Sequence, residues 1–193
     1  RNGTNNWVMS HQPLSASLGD YTRFMTLNSD GAVSGAGNVV FQGSAFTSSV
    51  FNVGTSVASN RSSGTYIAYC FAEKKGYSKF GIYTGNGNAD GTFIYTGFKP
   101  AFFLQKKSSA AGNYWNMWGY TSASGSNGIG RRLFPNSNAA ESNQDSSPMA
   151  DFCSNGVKLR QTDSDYNGSG ATYIYMAFAE NPFVTSTGVP ATA

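Results

Sequence analysis

The stretch Thr65-Tyr66-Ile67-Ala68-Tyr69-Cys70-Phe71-Ala72-Glu73 returns near the other end of the chain as Thr172-Tyr173-Ile174-Tyr175-Met176-Ala177-Phe178-Ala179-Glu180. Six of the nine positions are identical, and the copies lie 107 residues apart. Each follows a Ser-Gly or Ser-Gly-Ala turn and is rich in aromatic and β-branched residues, which predicts a strand. In both copies neither face carries a charge. One face has Ile67, Tyr69 and Phe71, matched by Ile174, Met176 and Phe178; the other has Tyr66, Ala68 and Cys70, matched by Tyr173, Tyr175 and Ala177. An uncharged pair of faces predicts a strand central in its sheet and covered on both sides.

The repeat extends outward from these strands. Asn6-Trp7-Val8-Met9 matches Tyr114-Trp115-Asn116-Met117, Leu27-Asn28-Ser29 falls against Pro135-Asn136-Ser137, and Phe51-x-Val53 falls against Val157-x-Leu159. Two homologous units are expected, 1–80 and 95–183, joined by 81–94 and interlocked as a single β-sandwich over 1–183, with 184–193 a flexible tail. A unit of about 80 residues alone would bury too little surface to be stable. The first unit begins too late. The counterpart of Ala101–Lys107 would precede Arg1, so a longer polypeptide or another chain is expected to supply that strand.

The second unit reads as a series of strands. Ala101–Lys107 and Tyr114–Trp118 form a hairpin, Leu133–Asn136 is a short edge strand that tolerates Pro135, and Val157–Gln161 alternates with one wet face. Asp163–Gly170 is a turn, and Tyr120–Arg131 and Asn138–Pro148 are surface loops where divergent function is expected. Two strand-like pieces around a Gly/Asn/Asp turn lie between the units. No helix of ordinary length is predicted. The fold class is therefore all-β, an antiparallel sandwich.

Composition agrees. Charged residues are 12%, aromatics 15%, and Gly contributes 23 of 193 positions. A cytosolic enzyme carries about 25% charge, so a turn-rich extracellular or virion β protein is the better fit. The net charge of +3 is scattered, which argues against a nucleic-acid partner. No apolar run is long enough to insert into a membrane as a helix. Cys70 is expected as a small buried thiol, and its pairing with Cys153 stays open.

The stretches Thr65–Glu73, Gly76-Tyr77-Ser78-Lys79-Phe80-Gly81, Tyr83-Thr84-Gly85-Asn86-Gly87, Gly97-Phe98-Lys99-Pro100-Ala101, Asp151-Phe152-Cys153-Ser154-Asn155-Gly156-Val157-Lys158-Leu159-Arg160 and Ala171–Phe183 resemble an uncharacterised domain family of tailed bacteriophages, especially marine ones. That family occurs in tail-fibre-like and other virion structural proteins and is thought similar to jelly-roll, concanavalin-like or laminin-G-like sandwiches. The resemblance implies a non-enzymatic virion module, a tail-fibre or capsid-surface protein on the particle's outside. Its implied partners are other virion proteins, further copies of itself (a trimer, from fibre proteins in general) and, as candidate ligand, a host-surface polysaccharide. The alternatives are a capsid decoration or stalk without ligand, and a polysaccharide depolymerase.

Candidate chemistry is sparse. Asp163-x-Asp165-x-Asn167-Gly168 has the alternating oxygen ligands and bend Gly of a Ca²⁺ loop, but the twelfth position is Ile174, which cannot ligate. A polar Asx turn explains the same residues, and no cofactor is expected unless Ca²⁺ binds there. Trp118, Tyr120 and Tyr166, with Asn167, are the candidate glycan site: exposed rings to stack on a sugar and an amide to bond it. Trp7 and Trp115, at matching positions, are assigned to the core. Glu73 and Glu180 could act as a glycosidase pair only if they faced one cleft, and a neighbouring Lys such as Lys74 is the simpler partner. His11, the only histidine, is assigned to a surface loop.

Overall fold

A computed structural model describes residues 5–35, 37, 39–120 and 127–181. Its centre is the antiparallel sheet β3-β12-β5-β6, built from Ser78–Thr84 (β3), Thr172–Ala179 (β12), Pro100–Lys107 (β5) and Asn116–Gly119 (β6). A second sheet, β4-β11-β10-β7, is formed by Phe93–Tyr95 (β4), Gly156–Leu159 (β11), Ala150–Cys153 (β10) and Gly128–Ile129 (β7). The alternation predicted for the second copy puts Tyr173, Tyr175 and Ala177 into a core shared with Ile94, Phe152, Val157 and Leu159 of the second sheet. Phe103 stacks on both Trp118 and Tyr175 within it, with ring centroids 5.7 and 5.3 Å apart. Gly81 is needed there, because a Cβ would stand 2.6 Å from the Tyr175 ring. The protein is an all-β antiparallel sandwich.

The opposite face of β12 and β5 is covered by the N-terminal region. Ile174, Leu104 and Trp115 form a second core with Leu14 and Met25. Among the described residues only short elements occur there: Val8–Met9 (β1), pairing with Met25–Thr26 (β2), and the helix Gln12–Leu18 (α1). A proline in the first turn and the left-handed Gly19 (φ 64°) at the C-cap delimit α1. At seven residues it is too short to show helical periodicity in the sequence. Two further pairs, Arg131–Arg132 (β8) with Ser142–Asn143 (β9), complete the ladders.

Several expectations are corrected. Residues 65–73 are not a strand: they run exposed along the surface, with Ile67, Tyr69 and Phe71 55%, 66% and 58% accessible. Their side chains matched those of β12, but a strand needs ladder partners, and none of the described strands pairs with this segment. Cys70 is consequently exposed rather than buried, and both cysteines are free thiols. Trp7, whose mate Trp115 is buried, is half exposed. The two strand-like pieces expected around the Gly/Asn/Asp turn, by contrast, are strands: β3 flanks β12 over seven residue pairs, and β4 completes the second sheet. The proposed tail 184–193 and loop residues 121–126 lie outside the described residues.

His11 is also a correction. It is the N-cap residue of α1, buried, and its Nε2–H donates to the Tyr175 carbonyl at 3.1 Å. Its Nδ1 has no partner among the described residues, so a second proton would be a buried, unpaired charge. Burial lowers its pKa from 6.5 to about 4, the hydrogen bond to Tyr175 opposing the shift. The unfolded chain therefore takes up a proton near pH 6.5 that the folded chain refuses until about pH 4. Stability is expected to fall between those values by roughly 3 kcal/mol. Urea midpoints of wild type and His11→Gln at about pH 7 and about pH 4.5 check this. Equal pH slopes in the two proteins would remove His11 as the cause.

Candidate functional site

The loop between β11 and β12 carries the residues singled out for metal and sugar. It turns because Asp163 Oδ1 accepts from the Asp165 N–H at 2.8 Å, while the Asp163 carbonyl accepts from the N–H groups of Tyr166 and Asn167. This is the Asx geometry expected of a short Asp/Asn turn. The loop is then locked by residues the sequence did not bring to it. Arg132, from β8, sends Nη2 to Asp163 Oδ2 (3.4 Å) and Nη1 to Asp165 Oδ2 (3.5 Å) and to Asn116 Oδ1 (2.9 Å). Asp165 Oδ1 accepts from Asn113 Nδ2 at 3.0 Å. The guanidinium lies 5.0 Å from the Phe134 ring centre and 5.7 Å from that of Tyr166.

This arrangement turns the two carboxylates toward an arginine. A guanidinium supplies donors where a Ca²⁺ loop would converge its oxygens, so the charge that balances Asp163 and Asp165 is already covalently present. Among the described residues no group of three or more His, Cys, Asp or Glu side chains could hold a metal ion. Lys106, also buried, adds a second cation under the electrostatic influence of Asp30 and Asp165. Burial pulls its pKa down to about 8, against the pull of those two acids, and its Nζ donates to the Lys107 carbonyl at 2.8 Å.

Asn167 is fully buried, and its amide is spent on the backbone. Oδ1 accepts from Asn86 N–H at 3.0 Å; Nδ2 donates to the carbonyls of Asn88 (2.8 Å) and Gln161 (2.7 Å). It pins the β3–β4 loop to the β11–β12 loop. Gly85 makes that approach possible, since a Cβ there would collide with the Gly168 carbonyl.

The glycan candidates divide. Trp118 and Tyr166 are fully buried in the sandwich core, packed edge to face with ring centres 5.3 Å apart. Tyr166 donates its hydroxyl to Gln161 Oε1 at 2.7 Å, and burial raises its pKa well above the usual tyrosine value. Neither ring offers a face to a sugar. Only Tyr120 is partly exposed, with Lys99 Nζ 4.5 Å from its ring centre. Lys99 is itself paired with Glu180 at 3.1 Å, and Glu73 is paired with Lys79 at 2.6 Å. Each glutamate thus has its own lysine, though neither partner is the expected Lys74.

The feature that residue-by-residue reading missed is an apolar groove of about 520 Å³ outside the second core. Trp7, Leu27, Tyr69, Phe71 and Met176 line it with Pro135. The Trp7 and Tyr69 rings stand 6.2 Å apart across it, and Phe71 packs on Phe80 and Phe178 at 6.4 and 5.9 Å. The signal was present in the excess of aromatics, but assignment of residues 65–73 to a covered strand concealed it.

An all-β sandwich with a polar loop bonded to its own neighbours and an exposed apolar band is the class of domain that fold and site define. The chain belongs to the family described as Domain of unknown function (DUF7483), which matches it over residues 1–182. No curated protein and no solved structure matches it.

Proposed function

We propose that this domain is a structural assembly module of a bacteriophage particle, displayed on the virion surface and working by packing against other polypeptide rather than by catalysis. The observation that supports assembly is the exposed aromatic band at residues 66–71 and Trp7 beside the apolar groove. Contiguous apolar surface of this kind marks contact with another macromolecule. The phage setting rests on the sequence resemblance. Burial of Trp118, Tyr166 and Asn167 favours the decoration or stalk form of the reading over host-glycan adhesion, and the lysine partners of Glu73 and Glu180 weigh against a depolymerase.

Antibody raised against the purified chain should decorate intact particles of a phage encoding it, seen by immunogold electron microscopy. Label found only in the soluble fraction of the lysate would refute a virion role. Binding on a bacterial glycan array would move the assignment back to adhesion.

A further inference from the structure

The backbone of residues 67–71 makes no hydrogen bond among the described residues. An extended, uncharged, aromatic segment with open N–H and C=O groups is an unfilled sheet edge. What belongs beside it can be read from the other half of the chain, because the two halves share local hydrogen bonds at matching positions. Trp7 N–H donates to Asn28 Oδ1 as Trp115 N–H does to Asn136 Oδ1. Met9 pairs with Met25 as Met117 does with Leu133, and Phe24 pairs with Ser34 as Arg132 does with Ser142. Tyr66 OH donates to the Val57 carbonyl as Tyr173 OH does to that of Ser164. Asn60 Nδ2 donates to Gly54 O as Asn167 Nδ2 does to Gln161 O.

In the second half, β5 fills the space between β12 and β6: Met176 faces Leu104, which faces Met117. The matching residues of the first half are Tyr69 and Met9, and among the described residues no strand lies between them. The groove opens there, between Tyr69 and Phe71 on one side and Trp7 on the other.

We propose that residues 67–71 and this groove form an acceptor site for a β-strand of the kind of Pro100–Lys107, donated by a protein other than a second copy of this chain, whose own Pro100–Lys107 is already paired on both edges. The strand would add to the open edge by main-chain hydrogen bonds. Its Phe and Leu side chains, spaced as Phe102 and Leu104, would enter the groove against Phe71, Tyr69 and Trp7. This deepens the assembly reading by naming the partner's chemistry and rests on that reading for the partner's being a protein. Backbone direction follows from the second half. The Thr172 carbonyl accepts from Ser108 N–H on the β5 side, so by alternation Ile174 and Met176 face β5, as Ile67 and Tyr69 would face the donated strand.

The test uses the full chain and a fluorescent synthetic peptide with the sequence of residues 97–107, against the same residues in scrambled order. Fluorescence anisotropy should show saturable binding of the ordered peptide only, and hydrogen exchange at residues 67–71 should slow by about tenfold or more when it is bound. Ile67→Pro removes an edge-facing N–H from a backbone that bonds nothing among the described residues, so it should abolish binding with the melting temperature held. Ile67→Ala should keep binding within about tenfold, because the edge stays intact. Absent saturable binding, or binding without protection at 67–71, overturns the proposal. So does a dimer that already protects those amides without peptide, which would make a second copy the occupant. Labelled particles with no peptide binding would leave the assembly reading standing and this inference refuted; peptide binding with unlabelled particles would do the reverse.

Discussion

Arg132→Ala is expected to lower the unfolding free energy by about 3–5 kcal/mol, the cost of breaking a largely buried ionic cluster from one side. The Arg132 side chain is 10% exposed and those of Asp163 and Asp165 are 29% and 15% exposed, so water can compensate only in part. Removing the guanidinium leaves two carboxylates close together in one turn and Asn116 Oδ1 without its donor. Arg132→Lys should recover only a fraction, because one ammonium cannot reach both carboxylates and Asn116 with the geometry of a planar fork. Combining Arg132→Met with Asp163→Asn and Asp165→Asn should restore most of the loss, since the charges disappear together. Urea denaturation of the four proteins measures this. A loss under about 1 kcal/mol for Arg132→Ala would mean the cluster behaves as a surface ion pair.

Asn167→Ala should cost about 4 kcal/mol. Three backbone groups lose their partner at once, each orphan costing roughly 1–3 kcal/mol where water cannot reach it. Asn86 and Asn88 are exposed enough for some solvent repair, which keeps the sum below the maximum. The matching residue Asn60 supplies the internal comparison. It is exposed, its Nδ2 donates to Gly54 O, and Asn60→Ala should cost about 1 kcal/mol. Thermal unfolding of both variants decides the matter. Equal losses would mean that the bonds from Asn167 to the β3–β4 loop add nothing.

Both predictions concern residues whose sequence pattern fits a ligand loop. Asp163, Asp165 and Asn167 alternate as Ca²⁺ ligands do, yet alternation along a chain specifies only that the oxygens recur. Where they point depends on Arg132 and Asn113, 31 and 50 residues from Asp163, and on Asn86 and Asn88 of another loop. Trp118 and Tyr166 show the same limit. A tryptophan beside a polar loop is compatible with either face of its strand, and the pairing of Trp118 with Phe103 turns it inward.

Strand character was legible in the residues of Ala101–Lys107, of Val157–Gln161 (a strand as far as Leu159) and of Thr172–Ala179, as were the two buried faces of the last and the turn at 163–170. Those follow from side-chain period and Asx chemistry, which are local. The fate of residues 65–73 was not legible in the same way. Their side chains repeat those of β12 at six of nine positions, and their backbone can adopt the same extended form. In β12, however, β3 and β5 supply hydrogen bonds along both edges and two apolar layers cover its faces. A strand is a property of the ladder it joins, so residues 67–71, which no described backbone group bonds, stay exposed at the surface.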